Sequence, residues 1–413
     1  MTSQQLPQGV ADLYAQDYEI KQSLIDRLKK LLSSYGCQPI QTPTFEYYDL
    51  FMNVPGTMDT DQMIKLVDHD GKVLVLRPDA TVPIARMAAQ SNSRAPSLNK
   101  LFYVTNIFRM ESGESDKTSR SFTQVGVECF DDAHPLNDVE IVVLAIELLK
   151  ETGMDHVQLE LGQAGFFKAL LQESNLEEDK QQLIQQKVNE KNEYELSRLL
   201  QSLQIEEWVK DQLVQLINLF GEPDDVLSKV EDFKMNHGMN QSIKRLTELV
   251  NQLKRLGYEQ YISVDLGLVN HLNYYTETMF QGYIEGYGKP IIQGGRYDQL
   301  TKYFDLKTSA IGFGIYVDDL INIVKMQSRL PIELPKQVTI VTDYETFPEA
   351  MRLAYDLRQE GLVVSMAYDQ INGENVEILV ELPEQTVTIE GDRVHFNSVA
   401  ELVTKVGWTN GNH

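Results

Sequence analysis

Gln124 and Glu128 stand four residues apart in "SFTQVGVECF" (121–130), a run that is otherwise largely apolar. Side chains two or four apart along a strand face the same side, so this pair shares a face. An acid among Val125, Val127 and Phe130 is costly to bury without a cationic partner. Two chemistries would satisfy it: an internal ion pair with Arg109 or Arg120, or the ammonium group of a bound ligand. Asp79 and Thr81, at the turn after "VLVLRP", pose the same choice. Tyr274 and Tyr275 sit together at a bend in "LGLVNHLNYYTETMF" (266–280). They are either packing residues or the wall of a pocket for a small planar ligand, and their hydroxyls want partners in both cases. No cation stands beside them to hold a phosphate.

Other chemistries find no foothold. The seven histidines are scattered, and no His/Cys/Asp cluster has metal-ligand spacing. "GFG" (312–314) is too short to cradle a phosphate and reads as a strand lightened by glycine. No Ser–His–Asp set can be singled out from sequence alone. No metal and no cofactor is expected.

The elements that must position these residues follow from periodicity. Residues 17–35 place Ile20, Leu24, Leu28, Leu31 and Leu32 on one helical face, with Gly36 as a stop. "KVLVLRPDATVPIARMAA" (72–89) reads as a strand, a turn at Pro78 and a helix entered near Pro83. Residues 100–110 and 121–130 read as a hairpin around a polar loop. Residues 138–153 read as a buried helix that Asp138 could cap. Residues 166–256, rich in Leu, Gln, Glu, Lys and Asn, read as a helical insertion broken at "GEPDD" (221–225). Strands resume at Tyr261. Residues 326–336 read as a proline-containing linker, and 337–413 as a small α/β domain with a strand–helix–strand rhythm.

Charge narrows the function. Across 413 residues the formal net charge is −24, and residues 331–413 hold 5 basic and 14 acidic side chains. Nucleic-acid binding draws much of its affinity from cations that neutralise phosphates, so this is a poor general candidate for it. Two cysteines, Cys37 and Cys129, give no disulfide framework and fit a reducing cytoplasm. No apolar run is long enough to span a membrane, and "MTSQQLPQGVADLY" does not read as a secretory signal.

Together these segments resemble the catalytic core of histidyl-tRNA synthetase, a class II aminoacyl-tRNA synthetase, over roughly residues 5–325. "LRPDAT" resembles that family's Arg-Pro-Glu-Gly-Thr turn. "FRMESGESDKTSRSFTQVGVECF" resembles motif 2, with its Gln…Glu pair lining the histidine pocket. "LVNHLNYYTETMF" resembles the histidine-specific signature, "GGRYDQL" the Gly-Gly-Arg-Tyr-Asp segment, and "AIGFGIYVDDL" stands where motif 3 belongs. The resemblance implies an α+β fold: an antiparallel sheet flanked by helices, with the helical insertion and the small C-terminal domain appended. It implies a histidine-binding set of Asp79, Thr81, Arg109, Gln124, Glu128, Tyr274 and Tyr275.

The departures are as informative. The signature arginine is Asn270 here, with His271 and Asn273 in place of Gly and Asp. The motif 3 arginine falls on Val317, preceded by Tyr316 instead of Glu. Adenylyl chemistry depends on cations stabilising developing negative charge, so two lost arginines argue against amino-acid activation. Motif 2 keeps Arg109 and Arg120, but its loop has become "ESGESDK". An amino-acid pocket without its nucleotide half resembles the family of regulatory subunits of ATP phosphoribosyltransferase, whose turn "LRPDATVPIAR" matches closely. That resemblance implies a non-catalytic partner of the short-form catalytic subunit in histidine biosynthesis, with histidine as effector. It further implies a homodimer within a hetero-oligomer, in the cytoplasm, bound to neither nucleic acid nor membrane. The alternatives are a working histidyl-tRNA synthetase or another amino-acid-activating ligase, and both need the missing nucleotide clamp.

Overall fold

The structure is a computed structural model. It describes residues 5–54, 58, 60–91, 100–110, 119–131, 133–154, 156–269, 275–327, 337–368, 378–382, 384–389 and 391–406. The chain divides into two compact units, Met1–Pro331 and Ile332–His413. From residue 328 onward, the linker expected at 326–336 lies outside the described residues.

The first unit is built on a nine-stranded sheet. In spatial order its strands are Gln38–Pro39, Lys100–Phe108, Ser121–Asp131, Ser309–Tyr316, Ile292–Arg296, Thr278–Ile284, Val157–Gln163, Ile262–Asp265 and Phe220–Gly221. Pairing is antiparallel except between the first two strands and between Val157–Gln163 and Ile262–Asp265. Helices flank it. Ala15–Ser34 buries Ile20, Leu24, Ile25, Leu28 and Leu32. Its end is set by Gly36, whose φ of 75° is a left-handed conformation that glycine adopts without a Cβ penalty. Pro135–Glu151 is apolar on most of its surface and buries Val142, Ala145, Leu148 and Leu149 among others. The stretch rich in Leu and Gln folds as six helices between Ala164 and Arg255, interrupted by the short strand Phe220–Gly221.

One expectation fails here. Asp138 does not cap the helix Pro135–Glu151. His134 does, accepting from the Leu136 N–H at 3.2 Å. Asp138 turns inward to the fully buried Arg296, which also pairs with Asp131 at 3.1 Å and Asp298 at 3.3 Å. A charge-assisted hydrogen bond to a buried guanidinium outweighs a cap that His134 already supplies, so the tertiary partner takes the carboxylate.

The second unit is a five-stranded sheet in the order Val363–Tyr368, Gln337–Thr342, Ile378–Glu381, Thr386–Ile389, Asp392–His395. The first three strands run parallel, joined across the helix Phe347–Gln359. It carries its own core, including Val338, Ile340, Ala354, Leu357, Val380 and Leu402. Among the described residues no helix is long and apolar enough to cross a membrane.

Candidate functional site

The strand Ser121–Asp131 lies between Lys100–Phe108 and Ser309–Tyr316, and the period of two sends Gln124 and Glu128 into one cleft. The cleft holds about 410 Å³ of space with its open mouth included.

Glu128 is 1% exposed. The Thr81 hydroxyl donates to its Oε1 at 2.8 Å, and the Tyr297 hydroxyl donates to its Oε2. Neither Arg109 nor Arg120 pairs with it, so the internal ion pair is replaced by two hydroxyls. Burial pushes its pKa up to about 8, against the pull of those two hydrogen bonds and with help from the charge of Asp79. Thr81 opens the helix Thr81–Ser91, and Asp79 anchors that helix by accepting from the Val82 N–H at 2.9 Å. Asp79 keeps some solvent access through the cleft but is enclosed by protein. Its pKa is raised by burial, partly offset by the Val82 N–H and by Arg109.

Space for these polar groups comes from glycine. A Cβ at Gly312 would overlap the Glu128 carboxylate, and one at Gly314 would overlap the Gln124 amide. One at Gly126 would overlap the Tyr103 ring, whose hydroxyl donates to Gln124 Oε1 at 3.0 Å. The strand lightened by glycine is therefore a wall thinned to admit two side chains.

Arg109 is the one cation lining the cleft among the described residues. Its Nε donates to the Pro78 carbonyl at 2.8 Å and its guanidinium lies 5.5 Å from the Phe122 ring centroid. Tyr275 is buried in the cleft wall, with its carbonyl accepting from Lys168 Nζ. Tyr274, like Asn270, His271 and Asn273, lies outside the described residues. Arg120 does not line the cleft; its N–H donates to the Gly9 carbonyl at 2.6 Å. Val317 is fully buried at the start of the helix Val317–Gln327.

Six of the seven expected residues thus converge: Asp79, Thr81, Arg109, Gln124, Glu128 and Tyr275. Two acids, one cation and a set of hydroxyls and amides suit a small zwitterion.

The histidyl-tRNA synthetase family model matches residues 9–320. The ATP phosphoribosyltransferase regulatory subunit of Acetivibrio thermocellus is 33% identical over 372 residues, covering 90% of this chain and 88% of that one. The chain belongs to the ATP phosphoribosyltransferase regulatory subunits, within the histidyl-tRNA synthetase family. A crystal structure from Bacillus halodurans, described as an ATP phosphoribosyltransferase regulatory subunit/histidyl-tRNA synthetase, superposes with a TM-score of 0.80 at 30% identity. It covers 90% of this chain and 95% of its own. A histidyl-tRNA synthetase from Nostoc sp. PCC 7120 shares the fold with a TM-score of 0.83 at 20% identity, over 98% and 99% of the two chains.

Within this regulatory-subunit family member, the cleft also uses residues that sequence reasoning passed over as ligand contacts: Tyr103, Gln293, Tyr297 and Tyr316. Tyr297 and Tyr316 sat inside recognised motifs, and that was the available signal. Tyr103 and Gln293 reach the cleft from other strands of the sheet, and nothing local marks them.

Proposed function

We propose that this chain is the non-catalytic regulatory subunit of ATP phosphoribosyltransferase in the first step of histidine biosynthesis. It completes the short-form catalytic subunit, and histidine bound in the cleft is the feedback effector. The working form is a homodimer within the hetero-oligomer. One observation carries the reading. Glu128, Thr81, Gln124 and Asp79 are held ready in a single cleft, whereas the position of the family's motif 3 arginine is a valine sealed in the apolar interior. A site that holds an amino acid but lacks a clamp for triphosphate suits sensing and not activation. The α-ammonium of the ligand meets Asp79 and Glu128, and Gln124 and Tyr275 orient the imidazole.

The test is direct. The purified chain, given ATP and histidine, should show no pyrophosphate exchange. Mixed with the short-form catalytic subunit, it should support phosphoribosyl-ATP formation that histidine inhibits. Glu128→Gln, checked for folding by its melting temperature, should raise the inhibiting histidine concentration ~30-fold, the loss typical of truncating one partner of a desolvated charge pair. Exchange by the pure chain would overturn the non-catalytic reading. Unchanged inhibition in a well-folded variant would move the effector out of the cleft.

A further inference from the structure

We infer that Lys168 is a positioning residue that fixes the backbone of Tyr275, so that the helical insertion sets how tightly the cleft holds its ligand. This rests on the proposal that the cleft takes histidine. Tyr275 lines the cleft from a short connection, three residues before the strand Thr278–Ile284 begins. Its carbonyl lies outside the ladder of that strand, and a carbonyl enclosed by protein needs a donor. Lys168, in the first helix of the insertion, Ala164–Gln172, supplies one at 2.5 Å. A charged donor makes this bond stronger than an amide would. Burial lowers the pKa of Lys168, and the charge of Glu277 offsets part of that cost.

The insertion grips the same connection at two further points. The Ala164 N–H donates to the Glu277 carbonyl at 2.8 Å, and Arg245 pairs with the Glu277 carboxylate at 2.9 Å. Arg245 belongs to the last helix of the insertion, His237–Arg255. That helix is tied to the first one, because its capping residue Asn236 donates to the Ala169 carbonyl at 2.9 Å and to Glu173 at 2.7 Å. The packing leaves little room: a Cβ at Gly165 would lie 2.7 Å from the Ser242 hydroxyl and 3.4 Å from the Thr276 carbonyl oxygen. The sheet closes the other side. The Thr276 N–H donates to the Arg296 carbonyl at 2.7 Å, and a Cβ at Gly295 would come within 2.8 Å of the Tyr275 ring. The ring is braced against the sheet, and its backbone is held by the insertion. Releasing the carbonyl lets the ring leave the geometry that meets the ligand. Binding in the cleft and order in the insertion are therefore coupled, and such coupling acts in both directions.

The test titrates L-histidine into the full chain by calorimetry. Lys168→Met keeps the length of the side chain and removes the donor. It should bind histidine about tenfold more weakly, the scale of a hydrogen bond from a charged group. Tyr275→Phe should weaken binding about fivefold by itself but add less than about twofold to Lys168→Met, as expected for residues acting through one contact. Lys191→Met is the control. Lys191 ties the insertion to Asp265 at 2.7 Å and does not line the cleft. Its loss should lower the melting temperature and leave histidine affinity within about twofold of wild type. Undiminished affinity in Lys168→Met or Tyr275→Phe, losses that multiply in the double variant, or an equal loss in Lys191→Met would overturn the assignment. Should Lys168→Met fail to fold, amide hydrogen exchange of the wild type asks the same question. Bound histidine should slow exchange at Ala164, whose N–H holds the Glu277 carbonyl, about threefold more than at Leu196 in the middle of the insertion. Equal slowing at both refutes the coupling. If wild type binds no histidine, or Glu128→Gln binds it as wild type does, the cleft reading itself has failed and this inference falls with it.

Discussion

In the empty cleft Glu128 holds a proton at neutral pH that an exposed glutamate would release, because burial outweighs the two hydroxyls that favour its charged form, and on the proposed reading the incoming ammonium draws that proton off. The sign of the consequence follows from linkage. Its folded pKa, about 8, lies above its ordinary value of 4.5. The folded state therefore keeps a proton that the unfolded state gives up between those two values, and stability falls as pH rises through that window. Each pKa unit corresponds to about 1.4 kcal/mol, so the loss could reach ~3 kcal/mol by pH 7. Glu128→Gln removes the titration. Without ligand, its melting temperature should gain on wild type steadily from pH 5 to pH 8, and parallel profiles would refute this. The position of Glu128 was legible from the alternation of its strand. Its partners were not, because Thr81 and Tyr297 come from 47 and 169 residues away, and sequence reasoning supplied the nearest arginines instead.

At the level of the element, the strand Ser309–Tyr316 shows how a glycine can serve a site on its neighbour. A methyl group at Gly312 would meet both the Glu128 carboxylate and the Val127 carbonyl oxygen, and the second is backbone and cannot swing away. At Gly314 the three nearest atoms all belong to the Gln124 side chain, which can. Gly312→Ala should cost ~1–3 kcal/mol of stability, as overpacking does, and abolish histidine binding. Gly314→Ala should weaken binding with a smaller loss of melting temperature. Equal melting temperatures for both variants and wild type would show that this wall has slack. The glycines were visible in the sequence, but their purpose needed the register that sets Gly312 against Glu128. The helices were readable because periodicity is local. The cap of Pro135–Glu151 was misassigned because Asp138 answers to a buried arginine on another strand.

At the scale of the whole molecule, every described cleft residue, from Asp79 to Tyr316, belongs to the first unit, and the second unit has a hydrophobic core of its own. The change in composition after residue 330 announces that second core, since a strand–helix–strand pattern with alternating apolar residues can bury its own apolar face. What composition could not convey is which unit senses the ligand, because a cleft assembles from residues that no single window contains. The geometry yields a firm expectation. A chain ending at Pro331 should fold, melt in a cooperative transition and bind histidine with the affinity of the full chain, within about twofold. Titration calorimetry on both chains checks it, with circular dichroism confirming that the shorter one is folded. A folded but silent 1–331 chain would mean that the acidic C-terminal unit completes the site, and the cleft would then have to be redrawn to include it.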